Sequence, residues 1–234
     1  MPALTTGPRP PAVAVDSRGL GERRDHVGRV ALQVCLLSIA LFVVATVGVA
    51  LGWGARIDRK AFVLFVAGDD ADPAARFLEY VAQLASPIAT AAVLAALAAG
   101  VGLRRVPARL LLATVAGLAA VTAVELALKT WLSHSGPPAV YHHQLQTLTI
   151  LYANSFPSGH AARSLVLGAA VILASPARAR AVAGILVGPV VAVILVSRLY
   201  LGEHWISDVI GGVLLGTAAV ALMVASRGTG RAPR

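Results

Sequence analysis

Charge is what this sequence has least of. Only 13% of its 234 residues are Asp, Glu, Lys or Arg, while 57% are hydrophobic and the mean hydropathy is +0.77. A soluble domain carries about 25% charged residues, so much of this apolar surface must face something other than water. Cysteine is nearly absent too. Cys35 alone excludes an intrachain disulfide, and its position inside an apolar run reads as a small packing residue. The formal net charge is +9, yet aromatics make up only 5% and are not interleaved with the arginines. That excludes the basic, aromatic-studded stripe of a nucleic-acid binder. No acidic cluster has the spacing of metal ligands, so neither a metal nor another cofactor is expected.

What is present is a series of apolar runs near the 20 residues a spanning helix needs. Six are expected, at 30–52, 80–103, 110–128, 159–176, 181–196 and 205–225. The fold class is therefore all-α, a polytopic membrane bundle of six transmembrane helices occupying residues 29–226. Pro189 is expected to kink the fifth helix. Residues 54–79 carry Asp58, Arg59 and Lys60 and read as an amphipathic segment at the interface. Residues 1–28 hold four prolines and lack the apolar centre of a secretory leader; they read as a disordered cytoplasmic tail. Residues 227–234 form a second cytoplasmic tail. With both termini inside, 13 of the 20 Lys and Arg residues fall on the cytoplasmic side, as the positive-inside bias requires.

Ionisable residues then collect at one depth on the outer side. Lys129 ends the third helix, Ser158, Gly159 and His160 open the fourth, Arg198 ends the fifth, and His204 and Asp208 begin the sixth. Charges at membrane depth cost several kcal/mol unless paired or functional. Single residues here could be snorkelling anchors, but the ends of four helices converging on one level point to a site. Lys129 and Arg198 suit a phosphoryl group. In Asn154-Ser155-Phe156-Pro157-Ser158-Gly159-His160, an Asn or Ser can cap a helix whose free N–H groups at Ser158 and Gly159 face an anion. His160 can shuttle a proton. His204 and Asp208, four apart, share a helix face, and a carboxylate on one ring nitrogen leaves the other free to attack.

These residues resemble the type 2 phosphatidic acid phosphatase superfamily, which includes lipid phosphate phosphatases and vanadium haloperoxidases. Its signature reads K-x6-R-P, then P-S-G-H, then S-R-x5-H-x3-D. The second part is intact at Pro157-Ser158-Gly159-His160, and the third runs intact from Ser197-Arg198 through His204 to Asp208. In the first part Lys129 and Pro137 are in register, but Gly136 stands where the arginine is expected. Arg163, one turn beyond His160, either faces the same cavity and supplies that cation or anchors at the interface; His134 is a second candidate. Glu125 lies one turn before Lys129, where it can pair with it. His142 and His143 read as loop residues rather than ligands.

The resemblance implies a metal-independent lipid phosphatase in the cell membrane, with its active site on the extracytoplasmic side. Its partners would be the bilayer and a lipid phosphate: a polyprenyl diphosphate, phosphatidylglycerophosphate or phosphatidic acid. His204 would be the nucleophile forming a phosphohistidine, Asp208 its support and His160 the general acid. Lys129, Ser158, Gly159, Arg198 and Arg163 would bind phosphate. Three other readings stay open: a catalytically weakened member, an anion or lipid transporter, and a vanadate-dependent haloperoxidase.

Overall fold

The computed structural model describes residues 17–66, 72–138 and 154–228. Eight α-helices and no strand occur among these: α1 Ser17–Ala50, α2 Ala55–Phe65, α3 Pro73–Ala82, α4 Pro87–Gly102, α5 Ala108–Trp131, α6 Gly159–Ala174, α7 Arg180–Tyr200 and α8 Ile206–Gly228. The architecture is the expected all-α membrane bundle. Helices α1, α5, α7 and α8 are each long and apolar enough to cross a bilayer. Their outward leucines, isoleucines and valines, such as Leu36, Val44, Ile185 and Leu186, are exposed, a surface suited to hydrocarbon. Hydroxyls within these helices are satisfied locally, as where Thr114 donates to the Leu110 carbonyl at 2.8 Å. That arrangement is what a medium without water demands.

Two boundaries differ from the sequence reading. Helix α1 begins at Ser17, so residues 17–28 continue the first span as a charged helical extension; the remainder of the N-terminal tail, residues 1–16, lies outside the described residues, as do residues 229–234. The second apolar run is not one helix. Segments Pro73–Ala85 and Pro87–Gly102 meet at a bend of 46°. Pro87 has no N–H to continue a helix, and Ser86 restarts one by accepting from Ala89 N–H at 3.3 Å. Pro189, by contrast, lies inside α7 and the helix runs on beyond it.

Helix α6 has 16 residues, about 24 Å at 1.5 Å per residue. It is short because it starts inside the bundle, where most of its first turns are buried. The central helix is α8, packed on α1, α5 and α6. Close approach to α6 requires glycine: a Cβ on Gly212 would lie 2.4 Å from the Ser158 carbonyl oxygen. A core of Leu110, Leu118, Val121, Val166 and Met223 fills the space between α5, α6 and α8. Cys35 packs with Ala218 and Ala221, the small packing role its position suggested.

The amphipathic segment folds as α2 and the start of α3. Asp58 and Ala61 face inward from α2. Asp58 accepts from both the backbone N–H and the hydroxyl of Ser207, each at 3.0 Å. The Phe62 ring lies tilted against that of Trp205, with ring centroids 5.4 Å apart. Eleven residues cannot cross a bilayer; the helix instead closes over the N-terminal end of α8.

Candidate active site

The turn between α7 and α8 fixes the spacing of Arg198 and His204. Helix α7 ends in a Schellman arrangement: Glu203 N–H donates to the Arg198 carbonyl at 3.2 Å and Gly202 N–H to the Leu199 carbonyl at 3.1 Å. Gly202 sits at φ +68°, where a side chain would be strained. His204 N–H also reaches the Arg198 carbonyl, at 3.1 Å. Six positions of chain therefore fold back on themselves, bringing a guanidinium and an imidazole to one place.

Asp208 is fully buried at the first turn of α8. Its Oδ2 accepts from Trp205 N–H at 2.9 Å, so the carboxylate also caps its own helix. The same oxygen lies 3.2 Å from His204 Nδ1. A proton on Nδ1 would leave His204 Nε2 as the nucleophilic nitrogen. The other oxygen, Oδ1, lies 3.3 Å from Nε2 of His134. One carboxylate is thus shared by two imidazoles. Sequence reading had offered His134, after Arg163, as a candidate for the cation missing at Gly136; the structure turns its ring to Asp208. Burial pulls the His134 imidazole down, but the Asp208 carboxylate beside it, with the charge of Asp58, outweighs it and holds its pKa above the ordinary value.

Ser158 caps α6, its hydroxyl accepting from Ala161 N–H at 3.4 Å. Its own N–H donates to the Asp208 carbonyl at 2.9 Å. This corrects the expectation that the Ser158 amide faces an anion: it is committed to joining α6 to α8. The N–H groups of Gly159 and His160 have no partner among the described residues, and they are the free donors of the helix terminus. His160's imidazole is likewise without a hydrogen-bond partner there. It lies within electrostatic reach of Arg198, Arg163, His204 and Lys129.

The cations are held by acids. Lys129 Nζ donates to Glu125 Oε1 at 2.9 Å, and Arg163 Nη1 donates to Glu125 Oε2 at 2.7 Å. Arg163 Nε also reaches the Ala85 carbonyl, at the bend before α4, at 3.4 Å. Arg198 is buried; its Nε and Nη2 each lie 3.2 Å from Ser197 Oγ, and Nη1 pairs with Glu203. Asn154 is not a helix cap. Its amide bridges the Lys129 carbonyl at 2.8 Å and the His134 N–H at 3.1 Å, tying the end of α5 to the approach of α6. Trp205 Nε1 fastens the same loop by donating to the Ser135 carbonyl at 2.8 Å. His142 and His143 lie outside the described residues.

The structure therefore gathers Lys129, Arg163, Arg198, His160, His204 and Asp208 at one end of the bundle, around the start of α6. Sequence reading missed Asp58 and the pairing of His134 with Asp208. No local pattern marks either.

A family model described as the PAP2 superfamily matches residues 107–231, more than half of the chain. Against curated protein sequences there is no significant match. Among solved structures, the fold is similar to that described as the crystal structure of the first transmembrane PAP2 type phosphatidylglycerolphosphate phosphatase from Bacillus subtilis. The TM-score is 0.67 at 19% identity, covering 81% of this chain and 93% of that one.

Proposed function

Because the chain belongs to the PAP2 superfamily, we propose that it is a membrane lipid phosphate phosphatase acting through a phosphohistidine. The observation that carries the reading is the Asp208 carboxylate 3.2 Å from His204 Nδ1, with three cations, Lys129, Arg163 and Arg198, in electrostatic reach of His160.

His204 Nε2 attacks phosphorus in line. The N–P bond forms as the bond to the lipid oxygen breaks, and His160 donates the proton that oxygen needs. Asp208 stabilises the imidazolium. In the second half-reaction His160 takes a proton from water, whose oxygen displaces His204 and releases inorganic phosphate. Negative charge on the phosphoryl oxygens builds against Lys129, Arg198, Arg163 and the Gly159 and His160 amides, with Ser158 shaping that terminus as its cap. These are residues of the chain itself, and the scheme routes no step through a metal.

The substrate is a lipid bearing a phosphomonoester or diphosphate. The candidates are a polyprenyl diphosphate, phosphatidylglycerophosphate and phosphatidic acid, the second being the one named for the Bacillus subtilis structure whose fold is similar. We further propose six crossings, with the bent α3–α4 pair counted as one and α6 as another. Both termini are then cytoplasmic and the site lies at the extracytoplasmic leaflet. The test is phosphate release from a panel of these lipids by purified wild type and His204→Ala. Release by the wild type, abolished in a folded His204→Ala, is expected; equal turnover by both would end the proposal.

A further inference from the structure

We infer that Glu125 is a positioning residue that presents Lys129 and Arg163 as a pair to the phosphoryl group, and that Arg163, so held, replaces the cation missing at Gly136. The inference rests on the phosphatase reading and says what holds its third cation and which position that cation stands in for.

Glu125 is buried on α5, 5% exposed. A buried carboxylate flanked by cations often only neutralises them, but this one has a particular position. A Cβ added to Gly159 would lie 2.1 Å from its Oε1 and 2.2 Å from its Oε2. The carboxylate therefore rests against the first residue of α6, beside the free amides of that helix terminus. Each of its oxygens holds one cation, Lys129 from the same helix and Arg163 from α6. Both cations are thereby held by one carboxylate beside the start of α6.

Arg163 is also constrained from outside. Its Nε reaches the Ala85 carbonyl, so two groups set the plane of the guanidinium. Nη2 makes no hydrogen bond among the described residues and remains for a ligand. The charge of Arg163 is felt at both His160 and Arg198, the two groups that would flank a bound phosphoryl group.

Gly136 is not glycine for backbone reasons. Its φ is not in the left-handed region, and an added Cβ would come no closer than 3.4 Å, to Ser155 Cβ, which is ordinary contact. An arginine could therefore be attached here. Its absence is matched by an arginine arriving from another helix, with Glu125 to hold it.

The experiment uses full-length protein in detergent, folded by size exclusion and circular dichroism, with two readouts: kcat/KM for lipid phosphate hydrolysis and the affinity for inorganic phosphate. Arg163→Ala is expected to lower both by roughly ten- to a hundred-fold, the worth of a charged hydrogen bond. Adding Gly136→Arg to Arg163→Ala should restore most of the loss, with Gly136→Lys as the second variant if the arginine form does not fold. Glu125→Gln should weaken phosphate binding, and its loss combined with Arg163→Ala should fall well short of the product of the two. Rescue together with that shortfall supports the inference. Failure of both position-136 variants to rescue, or losses that simply multiply, overturns it. A wild type that binds phosphate yet hydrolyses no lipid phosphate sinks the enzymatic proposal instead, and the binding series still decides the role of Glu125.

Discussion

Ser158 and Asp208 are joined backbone to backbone, the amide of one donating to the carbonyl of the other at 2.9 Å. The two residues open α6 and α8, and each precedes or follows a histidine of the site by a few positions. One hydrogen bond thus sets the distance between the elements carrying His160 and His204. Nearby, Gly212 lets the two backbones approach.

Gly212→Ala should therefore be costly. Its Cβ would fall 2.4 Å from the Ser158 carbonyl oxygen, forcing α6 away from α8. A loss of about 1–3 kcal/mol is expected for such overpacking, seen as a lower melting temperature in detergent, with phosphatase activity falling alongside it. Gly184→Ala on α7 meets nothing within 4 Å and should leave stability unchanged or raised by up to about 1 kcal/mol.

Asp208→Asn keeps the size of the side chain and removes its charge. If Asp208 fixes the His204 tautomer and supports its cation, kcat should drop by roughly a thousand-fold or more, with KM changing far less. Single-turnover phosphate release separates the two. A kcat within tenfold of the wild type would contradict the assignment.

His134 holds its proton more tightly folded than unfolded. The stability this adds is complete below the unfolded imidazole value of about 6.5 and is lost as pH rises through the higher folded value. The melting temperature should accordingly decline as pH rises above about 6.5, and His134→Gln should remove much of that slope. An identical slope in both proteins would show that the contact with Asp208 carries no linkage.

Asp58→Ala removes the acceptor of two hydrogen bonds from Ser207 and loosens α2 from the start of α8. A loss of about 1–2 kcal/mol is expected, as for other helix caps, along with reduced turnover because Trp205 and Asp208 share that turn. Asp58→Asn retains an acceptor oxygen and should recover most of both. Thermal melts and kcat of the two variants check this.

Much of this protein is determined by the chain order of its residues. Long apolar runs fix where helices form, because only a helix satisfies its own backbone in a medium without water. The break at Ser86-Pro87 went unread in the apolar run 80–103, although proline cannot continue a helix and serine can cap one. The pairing of His204 with Asp208 follows from a spacing of four on a helix, and that of Glu125 with Lys129 likewise.

Tertiary structure alone decided the rest. That Arg163 crosses to Glu125, that His134 turns to Asp208, and that Ser158 gives its amide to Asp208 all depend on how helices rotate and at what depth they meet. Hydropathy specifies which segments lie among apolar surroundings but leaves rotation and depth open. Those are set when small residues such as Gly212 and Gly159 admit close approach, and when each buried charge must find a partner.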